Sequence, residues 1–332
     1  MAGWNLKSGS IKEYNLSEER IWSLFNYVFS DSCRKRNTYK FGLIKALVDN
    51  AFNGEATSEG IYYSYEQLFG RFAENYWNLV AKYDIRQMRK DGRSELSKIE
   101  RIIKSSIENN IVLESLEFES IDEVEKRAII KEVVRECKKC VVGALYEDFE
   151  GVIYSFDLKD DGLVLNPAIH DFFLKYKSEI ERLNYYSWAK FLEQVNSDDA
   201  LIRVIDKLEL STPRRRDLFV YREILYKEFE EKTCFYCGRK LNRKMHVDHF
   251  VPWSFVKDDK IWNFVLSCSS CNESKKNRVP SVDYVYKIED RNKKLITLTD
   301  DIIQIDFETY SKERFEKICK YAKLAGLKEY CG

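Results

Sequence analysis

Two cysteine pairs, Cys234-x-x-Cys237 and Cys268-x-x-Cys271, stand thirty residues apart in a chain of 332. Each pair fits a tight knuckle whose two thiolates hold one tetrahedral ion at about 2.3 Å. An ion shared by both pairs ties together the two ends of everything between them. Four sulfurs favour zinc, and a four-sulfur site is closed, so this zinc is structural and any chemistry must sit elsewhere. A thioredoxin-like redox pair would need a βαβ context that the sequence lacks. The nine Cys make an odd count, which in a cytosolic chain argues against a disulfide framework. Cys137 and Cys140 repeat the spacing within a helical pattern, with no second pair or His nearby. They are expected to be helix-surface thiols rather than a second metal site.

The formal net charge is zero, but residues 234–278 carry nine Lys/Arg against four acids, a local +5. The first 233 residues carry −5. A polyanionic partner such as nucleic acid would therefore meet the cysteine-bearing segment, with salt-dependent binding. No apolar run approaches the roughly 18 residues needed to cross a bilayer. Residues 1–30 are interrupted by charges where a signal peptide would be apolar. A cytoplasmic location is the expectation.

The length suggests about two domains, expected at 1–230 and 231–332. The first reads as mainly helical. Helices are predicted over 18–30, capped by Ser17, and over about 39–52, 64–82, 94–109 and 121–142. Another follows Pro167, and one starts at Thr212-Pro213 and runs to about Phe229. Alternation from Val152 to Leu165 around Asp160-Asp161-Gly162 predicts an inserted β-hairpin. The aromatics of 64–82 read as core, and His170 as structural. The basic run Arg86, Arg89, Lys90, Arg93, Lys98, Arg101 and Lys104 is interleaved with acids and reads as a solvated face. The Arg214-Arg215-Arg216 triplet, just upstream of the +5 segment, is a candidate nucleic-acid contact. In the tail, 284–307 suggests one or two strands and 311–325 an amphipathic helix.

Between the cysteine pairs lie His246-Val247-Asp248-His249-Phe250-Val251-Pro252 and Trp262-Asn263. Asn272-Glu273-Ser274-Lys275 follows the last cysteine. Two of the three His in the chain are here. A short strand ending near His249 would let Asp248 and His249 converge, with Pro252 consistent with that ending. Asp248 and Asn272 offer hard oxygen ligands suited to Mg²⁺ or Mn²⁺. His249, an imidazole, is suited to take a proton from water near neutral pH. Lys275 and Arg278 are candidate phosphate contacts. His246 is a candidate for a supporting or substrate role, with direct metal ligation the least favoured reading. Trp253 and Trp262 read as core.

These residues, in this order, resemble the HNH endonuclease domain, a ββα-metal fold, here with a four-cysteine zinc. Asn272 directly after the last cysteine is similar to phage junction-resolving nucleases. Val247-Asp248-His249-Phe250-Val251-Pro252, followed by Asn263 and Asn272, is similar to the HNH domain of RNA-guided CRISPR nucleases. The resemblance covers about 45 residues (core 234–278) and carries nothing over to residues 1–230. It implies that His249 is the general base and that Asp248 and Asn272 hold a catalytic Mg²⁺ which stabilises the leaving 3′ oxygen. It also implies that Asn263 braces the loop aiming His249, and that Cys234, Cys237, Cys268 and Cys271 bind zinc. The fold expected is mainly α, with a carboxy-terminal HNH domain. The function expected is metal-dependent hydrolysis of phosphodiesters, DNA above all. The competing reading is a non-catalytic zinc module that binds nucleic acid. By analogy at domain level alone, an HNH module behind an unrecognised helical domain suits a bacterial restriction or anti-phage effector. Such an effector would be held silent until the first domain meets a signal or a protein partner.

Overall fold

A helix buried around almost its whole circumference has no broad solvent face and sits at the centre of a domain. Residues 39–49 form such a helix, and the first half of the chain is built around it. The computed structural model describes residues 5–90, 95–109, 117–210, 218–228, 232–241 and 245–332. The chain divides into two units, Met1–Arg214 and Arg215–Gly332.

Unit 1 contains α1 (Glu18–Phe29), α2 (Tyr39–Asp49), α3 (Tyr65–Trp77), α4 (Lys98–Asn109), α5 (Glu123–Asp148), α6 (Pro167–Glu193), α7 (Asp198–Leu201) and α8 (Val204–Leu210). Every described residue of α2 except Lys40 is buried, and α3, α5 and α6 pack on it. Close approach is possible because Gly42 faces the rings of Tyr76 and Phe72, where a Cβ would stand 2.4 Å from Tyr76. Local signals place the helix starts. Ser17 caps α1, Ser64 caps α3, and Asp122 accepts from Val124 and Glu125 to cap α5. Asn166, followed by Pro167, caps α6.

The expected hairpin is present as β4 (Tyr154–Asp157) and β5 (Gly162–Leu165). It is not an isolated insertion. With β1 (Ser8–Gly9), β2 (Glu55–Ala56) and β3 (Ile61–Ser64) it forms an antiparallel sheet in the order β1-β4-β5-β3-β2. The neighbouring strands are two to four residues long, too short for alternation to declare them.

His170 is buried, and its Nε2 lies 2.8 Å from the Ala51 carbonyl, a structural role. Cys137 is fully buried, a correction to the surface thiol expected: it lies on the inward stripe of α5 with Val133 and Val141. Lys98 and Lys104 of the basic run pair with Glu136 and Asp84, while Arg86 and Arg89 donate to the Glu95 carbonyl and Gln194. Thr212-Pro213 and the Arg214–Arg216 triplet lie outside the described residues.

Unit 2 contains α9 (Phe219–Glu228), β6 (His246–His249), α10 (Trp253–Val256), β7 (Phe264–Ser267), α11 (Ser269–Lys275), β8 (Val279–Pro280), α12 (Val282–Leu295), α13 (Asp301–Phe307), α14 (Lys312–Leu324) and β9 (Glu329–Tyr330). Its boundary lies upstream of the 230/231 division read from sequence. The reason is that α9 packs on β6 and β7, with the Tyr221 ring 4.8 Å from Phe264. β6 and β7 pair antiparallel and β8 pairs with β9 in parallel. The strands expected within 284–307 are instead α12 and α13. Val285, Ile288, Asn292 and Leu295 are buried at helical spacing, and Asp300 caps α13. The helix at Lys312–Leu324 buries Phe315, Ile318, Cys319 and Ala322, as the pattern indicated. No helix among the described residues is long and apolar enough to cross a membrane.

Unit 1 holds a buried ionic cluster at its centre. Lys45 Nζ lies 2.5 Å from Asp49 and 3.2 Å from Glu181, and Lys177 Nζ lies 4.0 Å from Asp49. Removing Asp49 leaves two buried ammonium groups short of a counter-charge. We expect Asp49→Ala to lower the stability of unit 1 by roughly 3–5 kcal/mol, read from its urea midpoint. A change under about 1 kcal/mol would contradict the reading of this cluster as a paired one.

Candidate active site and zinc cluster

The two knuckles meet. One ligand atom from each of Cys234, Cys237, Cys268 and Cys271 lies within 4.8 Å of all the others. A tetrahedron with arms of about 2.3 Å has edges near 3.8 Å, the separation found between the Cys237 and Cys268 sulfurs, 3.8 Å. The first knuckle closes because Gly238 takes φ +70°, a left-handed conformation that side chains disfavour, and donates its N–H to the Cys234 carbonyl. Cys268 donates its backbone N–H to the Cys234 sulfur at 3.4 Å and stands at the N-cap of α11. Burial, then contact with the sulfurs of Cys268, Cys237 and Cys234, pushes the Cys271 thiol up to about 12. Sulfurs this close carry negative charge only around a cation, so the cluster could hold a zinc ion.

The clamp joins β6 to α11. Asp248 faces Val265 and His249 faces Phe264 across the β6–β7 ladder. Alternation along a strand would send Asp248 and His249 to opposite faces, and the two side chains do have different partners. Asp248 is buried. Its Oδ2 accepts from the Tyr236 hydroxyl at 2.6 Å, and Lys275 Nζ lies 3.1 Å from Oδ2 and 3.3 Å from Oδ1. Burial, then the Asp248 charge, raises Tyr236 well above the ordinary phenol value, which keeps it a donor. A carboxylate accepts at about four lone-pair sites. Tyr236 and the forked Lys275 ammonium take three, which leaves one on Oδ1. An oxygen donor suits a hard divalent ion, and the Lys275 ammonium on the same carboxylate would compete with it.

Lys275 is fully buried, and its Nζ also donates to the His249 carbonyl at 2.7 Å. That corrects the expectation that it reaches out to a phosphate. Seven residues of helix are enough to turn this side chain inward, where it pins α11 to the end of β6. Asn272, three residues earlier, shares the α11 face that carries Lys275 toward β6. It is half-buried. Arg278 likewise turns back: its guanidinium donates to the Ser274 carbonyl and lies 5.3 Å from the Tyr330 ring. It caps the end of α11. His246 is exposed, and its Nε2 lies 3.0 Å from the hydroxyl of Ser269 in the first turn of α11. That contact supports the knuckle helix and is separate from the Asp248 contacts.

Asn263 does what bracing requires. Fully buried, it accepts from the Val251 N–H at 2.9 Å and donates to the Val251 carbonyl at 3.0 Å, while its own carbonyl accepts from Phe250. The chain leaving His249 is thereby locked to the start of β7. Trp262 is core, donating to the Asp306 carbonyl at 3.0 Å, and Trp253 is half-buried. Three partners escaped the sequence reading: Tyr236, inside the first knuckle; Asp259, 2.8 Å from His249 Nε2; and Tyr221, whose hydroxyl donates to the Asp259 carbonyl at 3.1 Å. The only signal for Asp259 was the acidic pair Asp258-Asp259 in an otherwise basic segment.

Replacing Cys268 with Ser should cost far more than a surface change, since structural zinc contributes on the order of 10–16 kcal/mol to small domains. We expect zinc to fall from one per chain to none by elemental analysis, with loss of the unit 2 unfolding transition. A folded, zinc-free variant would show that the cysteines do not hold the unit together.

No solved structure matches the chain. Residues 234–281 match the family model described as HNH endonuclease. That stretch holds both knuckles, β6, β7, α11 and β8, so the carboxy-terminal unit carries an HNH domain at these residues.

Proposed function

We propose that the protein is a metal-dependent endonuclease that hydrolyses phosphodiester bonds, with DNA as the substrate. The observation that carries this reading is a pair of consecutive, buried side chains at the end of β6. A buried Asp248 and a buried His249 stand side by side in sequence, each fixed by named partners, in the family's order with Asn263 and Asn272. His249 would accept the proton of the attacking water. Asn263 and Phe264 would hold the imidazole: the first ties down the loop beyond it, and the second stands 4.6 Å from its ring. Tyr236 and Lys275 would hold the Asp248 carboxylate in one rotamer. A Mg²⁺ or Mn²⁺ held by Asp248 and Asn272 would neutralise charge on the scissile phosphate and its leaving 3′ oxygen.

One HNH motif makes one active site, so a monomer would nick, and double-strand cutting would need two copies or two encounters. Unit 1, with its own core, is where we place regulation or partner recognition. A bacterial defence or restriction role for that arrangement rests on analogy. The sequence assigned phosphate contact to Lys275 and Arg278; with Lys275 buried, we propose the exposed Lys276 and Lys328 beside Arg278. Both line an open cavity of about 590 Å³ beside the end of α11.

The test is nicking of supercoiled plasmid, with linear and single-stranded DNA alongside, under Mn²⁺ and with EDTA. We expect His249→Ala to abolish cleavage while zinc content and unfolding stay unchanged. Unchanged cleavage would refute its role, and binding without cleavage by the wild type would favour a non-catalytic zinc module. Reversing Lys276 and Lys328 to Glu together should weaken DNA binding at every sequence. The slope of log affinity against log salt should fall by about 1 to 2. An unaltered slope would place the phosphates elsewhere.

A further inference from the structure

We propose that Asp259 is the positioning residue for His249, holding its ring in the tautomer that leaves Nδ1 free to receive the proton. The inference rests on the nuclease reading above for its catalytic consequence, but not for its geometry.

His249 Nε2 lies 2.8 Å from Asp259 Oδ1, and both side chains are almost wholly enclosed, 5% and 10% exposed. An ionised carboxylate only accepts hydrogen bonds, so the ring nitrogen facing it must carry the hydrogen. The neutral imidazole then has its lone pair on Nδ1, the one ring position from which it can take a proton from water. That proton moves from the water oxygen to Nδ1 as the oxygen bonds to phosphorus and the 3′ oxygen departs with the electrons of its bond. Asp259 touches neither water nor phosphate in this scheme and acts only through the ring.

The Asp259 loop is held on both sides, as a positioning residue requires. Its own carbonyl accepts from the Tyr221 hydroxyl on α9, and two residues on, the Ile261 N–H donates to Asp306 of α13 at 2.7 Å. Lys260 pairs with the same Asp306 at 3.4 Å. Phe264 meets the imidazole edge-on at 4.6 Å, and the Tyr221 ring lies 4.8 Å from Phe264. The ring is therefore fixed by a carboxylate at one nitrogen and by an aromatic wall, and α9 supports both.

The test reads the ring directly. With three His in the chain, long-range proton–nitrogen correlation of the ¹⁵N-labelled, zinc-loaded full-length protein resolves each imidazole, and His249→Ala identifies the one in question. We expect hydrogen on Nε2 in the wild type. Asp259→Asn can turn its amide to donate to Nε2, which moves the hydrogen to Nδ1. We expect that variant to lose on the order of 10²- to 10⁴-fold in kcat with KM within about threefold and zinc content unchanged. Asp259→Glu, which keeps the carboxylate, should recover most of the rate. Hydrogen on Nδ1 in the wild type, or wild-type cleavage by Asp259→Asn, would overturn the proposal. If the wild type cuts nothing, the nuclease reading fails, and the ring measurement alone decides whether Asp259 sets the tautomer.

Discussion

Four sulfurs drawn within 4.8 Å of one another hold the ends of a segment whose interior carries Asp248 and His249. Their constraint is geometric before it is energetic. Cys268 starts α11 and donates its N–H to the Cys234 sulfur, so the helix cannot move without the first knuckle. Phe235, inside that knuckle, donates its N–H to Leu266 of β7. The strand pair and the helix are thus locked at one end. Two short strands and a seven-residue helix have by themselves little apolar area with which to hold such an arrangement.

From that clamp the rest of the site follows by contact. α11 brings Lys275 under the end of β6, where its buried ammonium compensates Asp248 and ties down the His249 carbonyl. A buried lysine is costly unless paired, so this side chain and Asp248 stand or fall together. The partnership has a consequence for ion binding. Positive charge beside Asp248 is present before any divalent ion arrives, and a divalent ion must share the carboxylate with Lys275. On the other side of β6, Asn263 closes the loop that turns back to β7, and Asp259 within that loop meets the imidazole.

What residue type and short spacing made legible in the chain are the knuckles that meet in the cysteine cluster and the bracing contacts of Asn263 with Val251. The long helices of unit 1 were legible because their caps and apolar stripes are local, as at Ser17 with Ile21, Leu24, Phe25 and Val28. What escaped depends on where a loop returns. Asp259 looks like any surface acid until Tyr221 and Asp306 fix the backbone on either side of it. Lys275 looked like a phosphate ligand because its direction is set by how α11 lies on β6, which no spacing reveals. The tail misled for a different reason. Alternation over 284–307 competes with a helical stripe through Val285, Ile288, Asn292 and Leu295, and burial against α12's neighbours favours the stripe. The early boundary of unit 2 was invisible for the same tertiary reason, since α9 reveals its allegiance only through Tyr221 and Phe264.

The most direct measurement of the central claim is anomalous scattering from crystals of the zinc-loaded protein soaked in Mn²⁺. We expect one zinc among the four cysteines and one manganese bound by Asp248 Oδ1 and the Asn272 amide oxygen. Manganese bound away from Asp248, or an Asp248 that keeps Lys275 as its only cation at saturating Mn²⁺, would contradict it.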